Sequence, residues 1–353
     1  MSTLSSPGWD LIISELADGQ DLTPEQARWA MNEILENQAA KDDIKSFLLG
    51  VQAKGESPEE VASFLDVMFA HAAPISIAAR AVDPVGTGGD GANTINISST
   101  AAIIAAAAGA KVVKHGARAA SSSSGAADLL EALGVNIDLD GQGVATSFEK
   151  LGIGFCFAPK FHPAMRFAAP ARKELGQASV FNILGPLANP AKPAAIALGV
   201  AKPRALSLMA KVLADRGTEG FLFRGDDGLD EITLTTTSTI IQITPHQPEN
   251  QKAELFDPRD LGIGFAPIES ITGGDAQYNA GVTLNILRGE HSPARDAILL
   301  NAAVAIAAYR GEFSKSINEQ VAQGYQLAKD AVDSGAALEL LDKWIELTQS
   351  LKA

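Results

Sequence analysis

The chain has 353 residues, 46% of them hydrophobic, so it can bury a large core and divide into two domains. Its formal net charge of −14 argues against broad nucleic-acid binding, which needs a basic surface, so any anion site must be local. The chain shows no signal-like start and no run of 18 apolar residues, and its one cysteine, Cys156, excludes an intramolecular disulfide. We therefore expect a cytoplasmic protein without a membrane span, in which Cys156 is a small buried hydrophobe.

The first seventy residues carry helix-start signals. Thr23-Pro24-Glu25-Gln26 and Ser57-Pro58-Glu59-Glu60 each combine a capping hydroxyl, a proline at the first helical position and a side chain that reaches back. Gly55 suits the end of the helix between them, which begins near Asp43. This region is predicted to be an all-helical bundle.

From Arg80 the pattern changes to short β-like runs that alternate with alanine-rich helices. The predicted strands are Ala81 to Val85, Lys111 to Lys114, Val135 to Asp138, Ile153 to Pro159, Ala194 to Val200 and Gly220 to Arg224. The predicted helices are Ser99 to Ala108, Ser124 to Leu133, Gln142 to Leu151 and Arg204 to Arg216. A β-rich stretch around Ile232 to Ile243 precedes predicted helices at Ala276 to Leu287, Ala294 to Tyr309, Ser314 to Ser334 and Ala336 to Leu351. Such alternation implies a mainly parallel sheet that is covered on both faces.

A glycine-rich segment, Gly86 to Ser99, follows the first predicted strand and precedes a helix. Its four glycines let the backbone turn tightly and approach a ligand, and the helix terminus offers unpaired N–H donors to an anion. Thr94, Asn96 and Ser98 add neutral donors beside them. The segment therefore predicts a binding loop for a phosphorylated ligand.

Two other glycine motifs fit this segment poorly. Gly86, Gly88 and Gly91 satisfy the G-x-G-x-x-G spacing of dinucleotide sites, but the stretch about 20 residues later, where an acid would bind the ribose, reads Lys111 to Gly116 without one. A P-loop is excluded because no Gly-Lys-Ser/Thr sequence ends the segment.

A second polar loop begins at the end of the next predicted strand with Lys114-His115-Gly116-Ala117-Arg118 and runs into Ser121 to Gly125. The carboxyl ends of parallel strands share one edge, so this loop should face the first and extend the anion site. His115 is compatible with two roles, a general base or a hydrogen-bonding member of the loop wall.

Asp230 and Glu231 form an adjacent acid pair, predicted at the start of a strand after the turn Gly225 to Gly228. Such a pair can hold Mg²⁺ together with waters and substrate phosphate oxygens. On composition alone a solvated turn explains the pair better, and the assignment to Mg²⁺ depends on a family resemblance.

Motifs along nearly the whole chain together resemble those of anthranilate phosphoribosyltransferases. They are Gly86 to Gly91, Asn93 to Ser98, Lys114 to Gly116, His162 to Met165, Phe181 to Pro190, Leu229 to Ile232 and Gly273 to Ala276. The resemblance implies a small all-helical domain of residues 1–75 with 168–192, hinged to a large α/β domain of residues 76–167 with 193–353, and a homodimer. It also implies the transfer of phosphoribose from phosphoribosyl pyrophosphate (PRPP) to anthranilate in tryptophan biosynthesis.

The same resemblance implies roles for individual residues, none of them an acid or base catalyst. The implied PRPP-binding residues are Gly86, Thr87, Gly88, Gly89, Asp90, Thr94, Asn96, Ile97, Ser98, Ser99, Lys114, His115, Gly116, Arg118, Ser121 and Ser122. The implied anthranilate-binding residues are Gly86, His115, Ala117 and Arg172, and Ser98, Asp230 and Glu231 are implied to bind Mg²⁺. No nucleic-acid partner is expected.

Four departures from the family pattern leave the acceptor less certain than the donor. Ala117 stands where an asparagine is usual, Ala126 replaces a serine, Ser123 a lysine, and Ala178-Ser179 an arginine-threonine pair. Each missing hydrogen bond weakens binding by about 1 kcal/mol unless neighbours compensate. Two alternatives therefore stay open: a related phosphoribosyltransferase or nucleoside phosphorylase with another acceptor, and a non-catalytic paralogue that binds sugar phosphates or nucleic acid.

Overall fold

The computed structural model describes residues 7–119 and 122–351. Its α-helices are α1 Trp9–Ala17, α2 Pro24–Leu35, α3 Lys41–Lys54, α4 Pro58–Ala70, α5 Ile97–Ala107, α6 Ala126–Ala132, α7 Gly141–Leu151, α8 Ala158–Phe161, α9 Ala169–Leu175, α10 Phe181–Leu187, α11 Pro203–Asp215, α12 Ala276–Leu287, α13 Pro293–Arg310, α14 Ile317–Asp333 and α15 Ala336–Ser350. Its strands are β1 Val82–Gly86, β2 Val112–Gly116, β3 Ile153–Phe157, β4 Ala195–Gly199, β5 Glu219–Gly225, β6 Ser238–Ile243 and β7 Ala253–Phe256.

The predicted starts of α2 and α4 and the predicted end of α3 are confirmed, whereas α3 begins at Lys41, two residues before the predicted start near Asp43. The hydroxyl of Thr23 accepts the Gln26 backbone N–H at 3.3 Å, and the Gln26 side chain accepts the Thr23 N–H at 2.8 Å. Ser57 and Glu60 form the same reciprocal pair at the start of α4. Gly55 has φ 91°, a conformation that side chains disfavour, and it ends α3. The predicted helical bundle is confirmed.

The seven strands form one sheet in the order β3-β2-β1-β4-β5-β6-β7. The first five are parallel, while β6 and β7 pair antiparallel at one edge. Strand β1 lies beside β4 in a register that runs from Val82 opposite Ala195 to Gly86 opposite Gly199. The chain leaves β1 toward β2 on one side and returns to β4 on the other. This reversal opens a crevice at the carboxyl ends of the strands, where ligands of such sheets bind.

Each face of the sheet packs against a different group of helices. Ala195 and Ala197 of β4 belong to a core with α5, α13 and α15, whereas Ile196 and Leu198 belong to a core with α11 and the N-terminal helices. This alternation follows from the two-residue period of a strand. Helix α13 is buried on nearly all sides, as an apolar central helix should be. The α/β region with a mainly parallel sheet is thus confirmed.

One predicted strand, Val135 to Asp138, is wrong. The segment is apolar enough for a strand, but it packs against α15 because the Asn136 N–H donates to the Thr348 hydroxyl at 3.1 Å and its side-chain amide to the Thr348 carbonyl at 3.2 Å. The first of these bonds uses a backbone N–H that a sheet would otherwise pair. The edge beside β2 is taken by β3 instead.

The stretch around Ile232 to Ile243 is also only partly a strand. Residues 226–237 form a loop in which the Asp227 carboxylate accepts hydrogen bonds from the Thr233 and Thr235 hydroxyls, and the strand begins only at Ser238. The prediction that Asp230 and Glu231 start a strand is therefore wrong, because they lie in the loop between β5 and β6. Strand β7 was not predicted.

Smaller boundary differences have local causes. The predicted strand Ile153 to Pro159 ends at Phe157, because Ala158 and Pro159 begin α8. Helix α6 begins at Ala126 rather than Ser124, because the Asp128 carboxylate accepts the Gly125 N–H at 2.9 Å and holds that residue extended. No helix within the described ranges has both the length and the apolar content that a membrane span requires.

Candidate functional site

Three loops meet at the carboxyl edge of the sheet and enclose a cleft of about 540 Å³, called here the donor cleft. They are the glycine-rich loop after β1, the loop after β2 and the β5–β6 loop. The described residues predicted to bind PRPP all line this cleft except Ser99, which is buried in the first turn of α5. Ser121 lies outside the described residues.

The glycine-rich loop owes its shape to positive φ angles and to the space that missing side chains leave. Gly88, Gly89 and Gly91 have φ of 64°, 79° and 76°, values that cost other residues strain. Gly86 has ordinary dihedrals, but a Cβ there would lie 2.3 Å from Oδ2 of Asp230. The Thr87 hydroxyl accepts the Ala201 N–H at 3.1 Å and ties the loop to the end of β4.

The two predicted metal ligands lie together against this loop. Oδ2 of Asp230 accepts the Gly88 N–H at 2.6 Å, and burial together with the nearby Asp90 carboxylate raises the pKa of Asp230 to about 7. Burial and the adjacent Asp230 raise the pKa of Glu231 well above its usual value, whereas a hydrogen bond from the backbone N–H of Ser98 acts in the opposite direction.

Two buried carboxylates that repel each other need a compensating cation. Their hard oxygen atoms, with the Ser98 hydroxyl nearby, suit Mg²⁺, which needs only one or two protein carboxylates beside substrate phosphates. No group of three or more His, Cys, Asp or Glu residues within the described ranges could hold a metal by itself. The residues present therefore fit a magnesium ion that arrives with its phosphate ligand.

Lys114 supplies positive charge to the floor of the donor cleft. Its Nζ donates to the Pro84 carbonyl at 2.5 Å and lies 3.3 Å from the Ser98 hydroxyl. Burial lowers its pKa, while Asp83, Glu231 and Asp230 act in the opposite direction. The lysine thus sits between the carboxylates and the phosphate-binding loop.

Two predicted PRPP-binding side chains are engaged by other protein groups. Oδ1 of Asn96 accepts from the Ser124 hydroxyl at 3.0 Å and from Nδ2 of Asn279 at 2.8 Å, so this amide braces the two loops against α12. The Arg118 guanidinium, half exposed, pairs with Asp128 at 3.0 Å and Glu131 at 2.8 Å.

A second cleft, of about 470 Å³, joins the first and is called here the acceptor cleft. The two clefts share the β1 end, the loop at His115 to Ala117, and Asn182. All four predicted acceptor residues line it, and its other walls come from α4, residues 158–169 and α10. The sequence thus identified residues where the two clefts meet, but not the helices that form the other walls of the acceptor cleft.

Arg172 brings a cation into this largely apolar cleft. Its guanidinium lies over the Phe181 ring at 5.1 Å, and burial lowers its pKa. Within residues 7–119 and 122–351 no carboxylate pairs with it and its side chain makes no hydrogen bond. A partly buried, unpaired guanidinium is a binding site for a carboxylate or phosphate.

His115 is buried where the two clefts join, and its ring has a defined protonation state. Its Nδ1 lies 3.2 Å from the Gly185 carbonyl, which can only accept, so Nδ1 carries the hydrogen. Burial and the neighbouring His162 lower its pKa to about 3, so the ring is neutral near pH 7. Nε2 is then a lone-pair acceptor, and it is buried without a hydrogen-bond partner among the residues that the structure describes. A group with this pKa accepts a hydrogen bond rather than a proton, which favours a wall role over a general base.

The residues that depart from the family pattern occupy two places. Ala117 and Ala126 line the donor cleft, and Ser123 is exposed. Ala178 and Ser179 instead line a separate pocket of about 260 Å³, which contacts the glycine-rich loop only at Thr87 and Gly88.

Several residues that shape the site were not identified from the sequence. Asp83, Asn189 and Asn279 hold loops by hydrogen bonds, Asn182 lines both clefts, and a Cβ at Gly199 would lie 1.7 Å from the Asp230 carbonyl. Asn182 and Asn189 stand in the Phe181 to Pro190 motif, which was the one available signal for them. Asp83 looked like an ordinary strand residue.

Comparisons with known proteins agree with this geometry. Residues 78–338 match the model of the glycosyl transferase family, a/b domain, and residues 11–72 match its helical bundle domain. An anthranilate phosphoribosyltransferase of Rhodococcus jostii (strain RHA1) is 48% identical over 97% of this chain and 94% of the relative.

Two solved structures are similar over nearly their whole length. The anthranilate phosphoribosyltransferase of Thermus thermophilus has a TM-score of 0.88 at 36% identity, covering 96% of this chain and 99% of that one. The Saccharomyces cerevisiae enzyme in complex with PRPP and Mg has a TM-score of 0.88 at 27% identity, covering 99% and 100%.

Proposed function

We propose how the two clefts divide the reaction, from the premise that this chain belongs to the anthranilate phosphoribosyltransferase family. It transfers the phosphoribosyl group of PRPP to the amine of anthranilate, which gives N-(5-phosphoribosyl)anthranilate and pyrophosphate in tryptophan biosynthesis. The observation that carries the division is that the polar and the apolar cleft meet at Gly86 and at His115 to Ala117. A donor in one and an acceptor in the other would bring the reacting atoms together there.

PRPP lies in the donor cleft, held by the backbone of residues 86–91 and the start of α5. Backbone N–H groups of the loop and helix start, together with the positive charge of Lys114, would attract the phosphates. Asn96 and Arg118 act indirectly, because their polar atoms already hold Ser124, Asn279 and α6. Asp230, Glu231 and Ser98 would hold Mg²⁺. The ion, when bound, neutralises charge that develops on the departing pyrophosphate.

Anthranilate lies in the acceptor cleft with its carboxylate at Arg172. The apolar walls take the ring, and Nε2 of His115 accepts a hydrogen bond from the amine. Because an aromatic amine is a neutral nucleophile near pH 7, this chain has to orient it and exclude water rather than remove a proton first. The pKa of His115 of about 3 supports that assignment.

We also propose the domain division expected from the sequence, residues 1–75 with 168–192 against 76–167 with 193–353. Its support is that α9 packs against α3 and α10 against α4. A cytoplasmic location is consistent with the free, buried Cys156.

The predicted homodimer has a candidate surface on α1 and α3, which pack together. Leu11 and Leu49 on these helices are 45% and 41% exposed. Leu11→Glu with Leu49→Glu should halve the mass measured by light scattering, whereas Leu255→Glu, an equally apolar change on β7, should not. An unchanged mass in the double variant would place the interface elsewhere.

The test of the function follows anthranilate fluorescence in the presence of PRPP and Mg²⁺, while calorimetry measures PRPP binding. We expect the fluorescence of anthranilate to fall with turnover. Undiminished fluorescence at high enzyme concentration, together with PRPP binding, would favour a different acceptor, the alternative that the changes at Ala117 and Ala126 raise.

A further inference from the structure

Beneath the junction of the two clefts lies a hydrogen-bond network centred on Asp83. The side chain of Asp83 is fully buried in β1. Its Oδ1 accepts the His115 backbone N–H at 3.1 Å, and its Oδ2 accepts Nδ2 of Asn189 at 2.8 Å. Nδ2 of Asn189 also donates to the Val113 carbonyl at 2.9 Å. Asp83 and Asn189 thus connect β1, β2 and the segment that follows α10.

The same segment holds the imidazole of His115. At the end of α10 the Gly185 carbonyl accepts the Ala188 N–H at 3.3 Å and, with its second lone pair, lies 3.2 Å from Nδ1 of His115. The Ala188 carbonyl lies 2.7 Å from Nε2 of His162. The backbone of His115 is therefore fixed by Asp83, and its ring by a carbonyl four residues before Asn189.

A carboxylate suits position 83 because both of its partners are donors. An asparagine there would set one of its own N–H groups against the His115 N–H or the Asn189 amide, and an aliphatic side chain would leave both donors unsatisfied in the core. Burial raises the pKa of Asp83 to about 6, so keeping this carboxylate ionised in the core costs free energy. Packing alone would not require a charged residue at this position.

We propose that Asp83 and Asn189 are positioning residues that act through His115. Asp83 fixes the position of the His115 backbone. Asn189 positions the Gly185 carbonyl, which selects the His115 tautomer that carries its hydrogen on Nδ1. Nε2 is left as a buried acceptor on a residue that lines both clefts. The inference depends on the proposed function, in which the lone pair on Nε2 of His115 accepts a hydrogen bond from the amine of anthranilate.

The tautomer is the readout that a purely structural role would not change. The chain has five histidines, so ¹⁵N–¹H NMR of the imidazoles can be assigned by difference with His115→Gln. We expect wild-type His115 to show Nδ1–H and unprotonated Nε2 from pH 6 to 8. In Asn189→Ala, the two tautomers should mix. Asn136→Ala is the control, because Asn136 also bridges backbone segments but lies at α15, away from both clefts.

Kinetics test whether the effect passes through His115. Asn189→Ala should lower kcat/KM for anthranilate about tenfold, as a small misplacement does, and should leave the KM for PRPP within about twofold. In a His115→Gln background the same substitution should have little further effect, since residues that act as one unit are not additive. Asn189→Ser serves as the second variant where Asn189→Ala reduces folding yield.

The proposal is overturned when His115 keeps the Nδ1–H tautomer in the Asn189 variants. It is equally overturned when the Asn189 substitutions lower kcat/KM for anthranilate by the same factor in the wild-type and the His115→Gln backgrounds. Absence of wild-type turnover would instead count against the proposed function, and the NMR arm reports on the network in that case too.

Discussion

The donor and acceptor clefts meet at Gly86, yet they are built in different ways. The donor cleft consists of loops that leave neighbouring strands, and backbone N–H groups, glycines and buried charges line it. The acceptor cleft consists of side chains from α4, residues 158–172 and α10, and it contains Arg172, whose guanidinium has no carboxylate or hydrogen-bond partner in the described chain. Donor binding is therefore spread over many contacts, whereas acceptor binding depends on few.

This difference predicts two kinds of mutational effect. Changes in the donor cleft should alter PRPP binding and kcat, because the carboxylates, Lys114 and the glycine loop act on the leaving pyrophosphate together. Changes in the acceptor cleft should act mainly on the KM for anthranilate, because they remove binding that ground state and transition state share.

The largest effect is expected from Asp230→Asn with Glu231→Gln. Loss of the metal site should lower kcat on the order of 10³-fold, because metal stabilisation of the developing charge is worth several kcal/mol. Anthranilate binding, measured by fluorescence titration, should stay unchanged. Without Mg²⁺ the variant should unfold at a higher temperature than the wild type, since two buried carboxylates of raised pKa are gone.

Asp226→Asn with Asp227→Asn is the matched control for that pair. These acids lie in the same loop but bond only to threonine hydroxyls and the backbone. Full Mg²⁺-dependent turnover in the Asp230 and Glu231 variant would remove the metal assignment.

The next largest effect is expected from Gly86→Ala. The added Cβ would meet Oδ2 of Asp230 at 2.3 Å without any φ penalty, so the loop or the carboxylate must move. We expect kcat/KM for PRPP to fall about 10²-fold, as a displacement of reacting groups by about 1 Å does. Gly281→Ala on α12 has open space around it and should be neutral. Normal kinetics in Gly86→Ala would mean that the contact with Asp230 is not needed.

The comparison also explains which parts of the site the sequence could predict. The donor loop is contiguous, three of its four glycines carry positive φ, and it follows a strand, so one stretch of chain contains both the geometry and the donors. Asp83 and Asn189 are 106 residues apart, and nothing local shows that they touch. Only the fold reveals that Arg118 turns toward Asp128 and that Asn96 braces Ser124.

The same limit applies to the fold. Capping boxes such as Ser57 with Glu60 are local and were predicted to the residue. The segment Val135 to Asp138 has a strand-like pattern, but its partner is Thr348, more than 200 residues away, and no local signal distinguishes packing under a helix from pairing in a sheet.

A smaller effect, confined to the acceptor, is expected from Arg172→Ala. Removal of a charge-assisted contact should raise the KM for anthranilate about 30-fold and leave PRPP binding, measured by calorimetry, unchanged. Arg166→Ala is the control, because Arg166 lines the same cleft but stacks on Phe167 at its exposed rim. Equal losses in both variants, or weaker PRPP binding in Arg172→Ala, would contradict the separation of the two clefts.

The smallest and sharpest change is Ala117→Asn, at the residue that lines both clefts. Its carbonyl already accepts the Ala127 N–H at 3.1 Å, so the backbone is fixed and the substitution adds only a side-chain amide. One new hydrogen bond of about 1 kcal/mol would lower the KM for anthranilate about fivefold, with the KM for PRPP unchanged. Ala126→Ser offers a control on the donor side, where the added hydroxyl should act on PRPP alone. An unchanged KM for anthranilate would show that His115 and Arg172 already hold the acceptor without help from position 117. A change in the KM values of both anthranilate and PRPP would show that position 117 contacts both substrates, so that the two clefts do not separate their binding there.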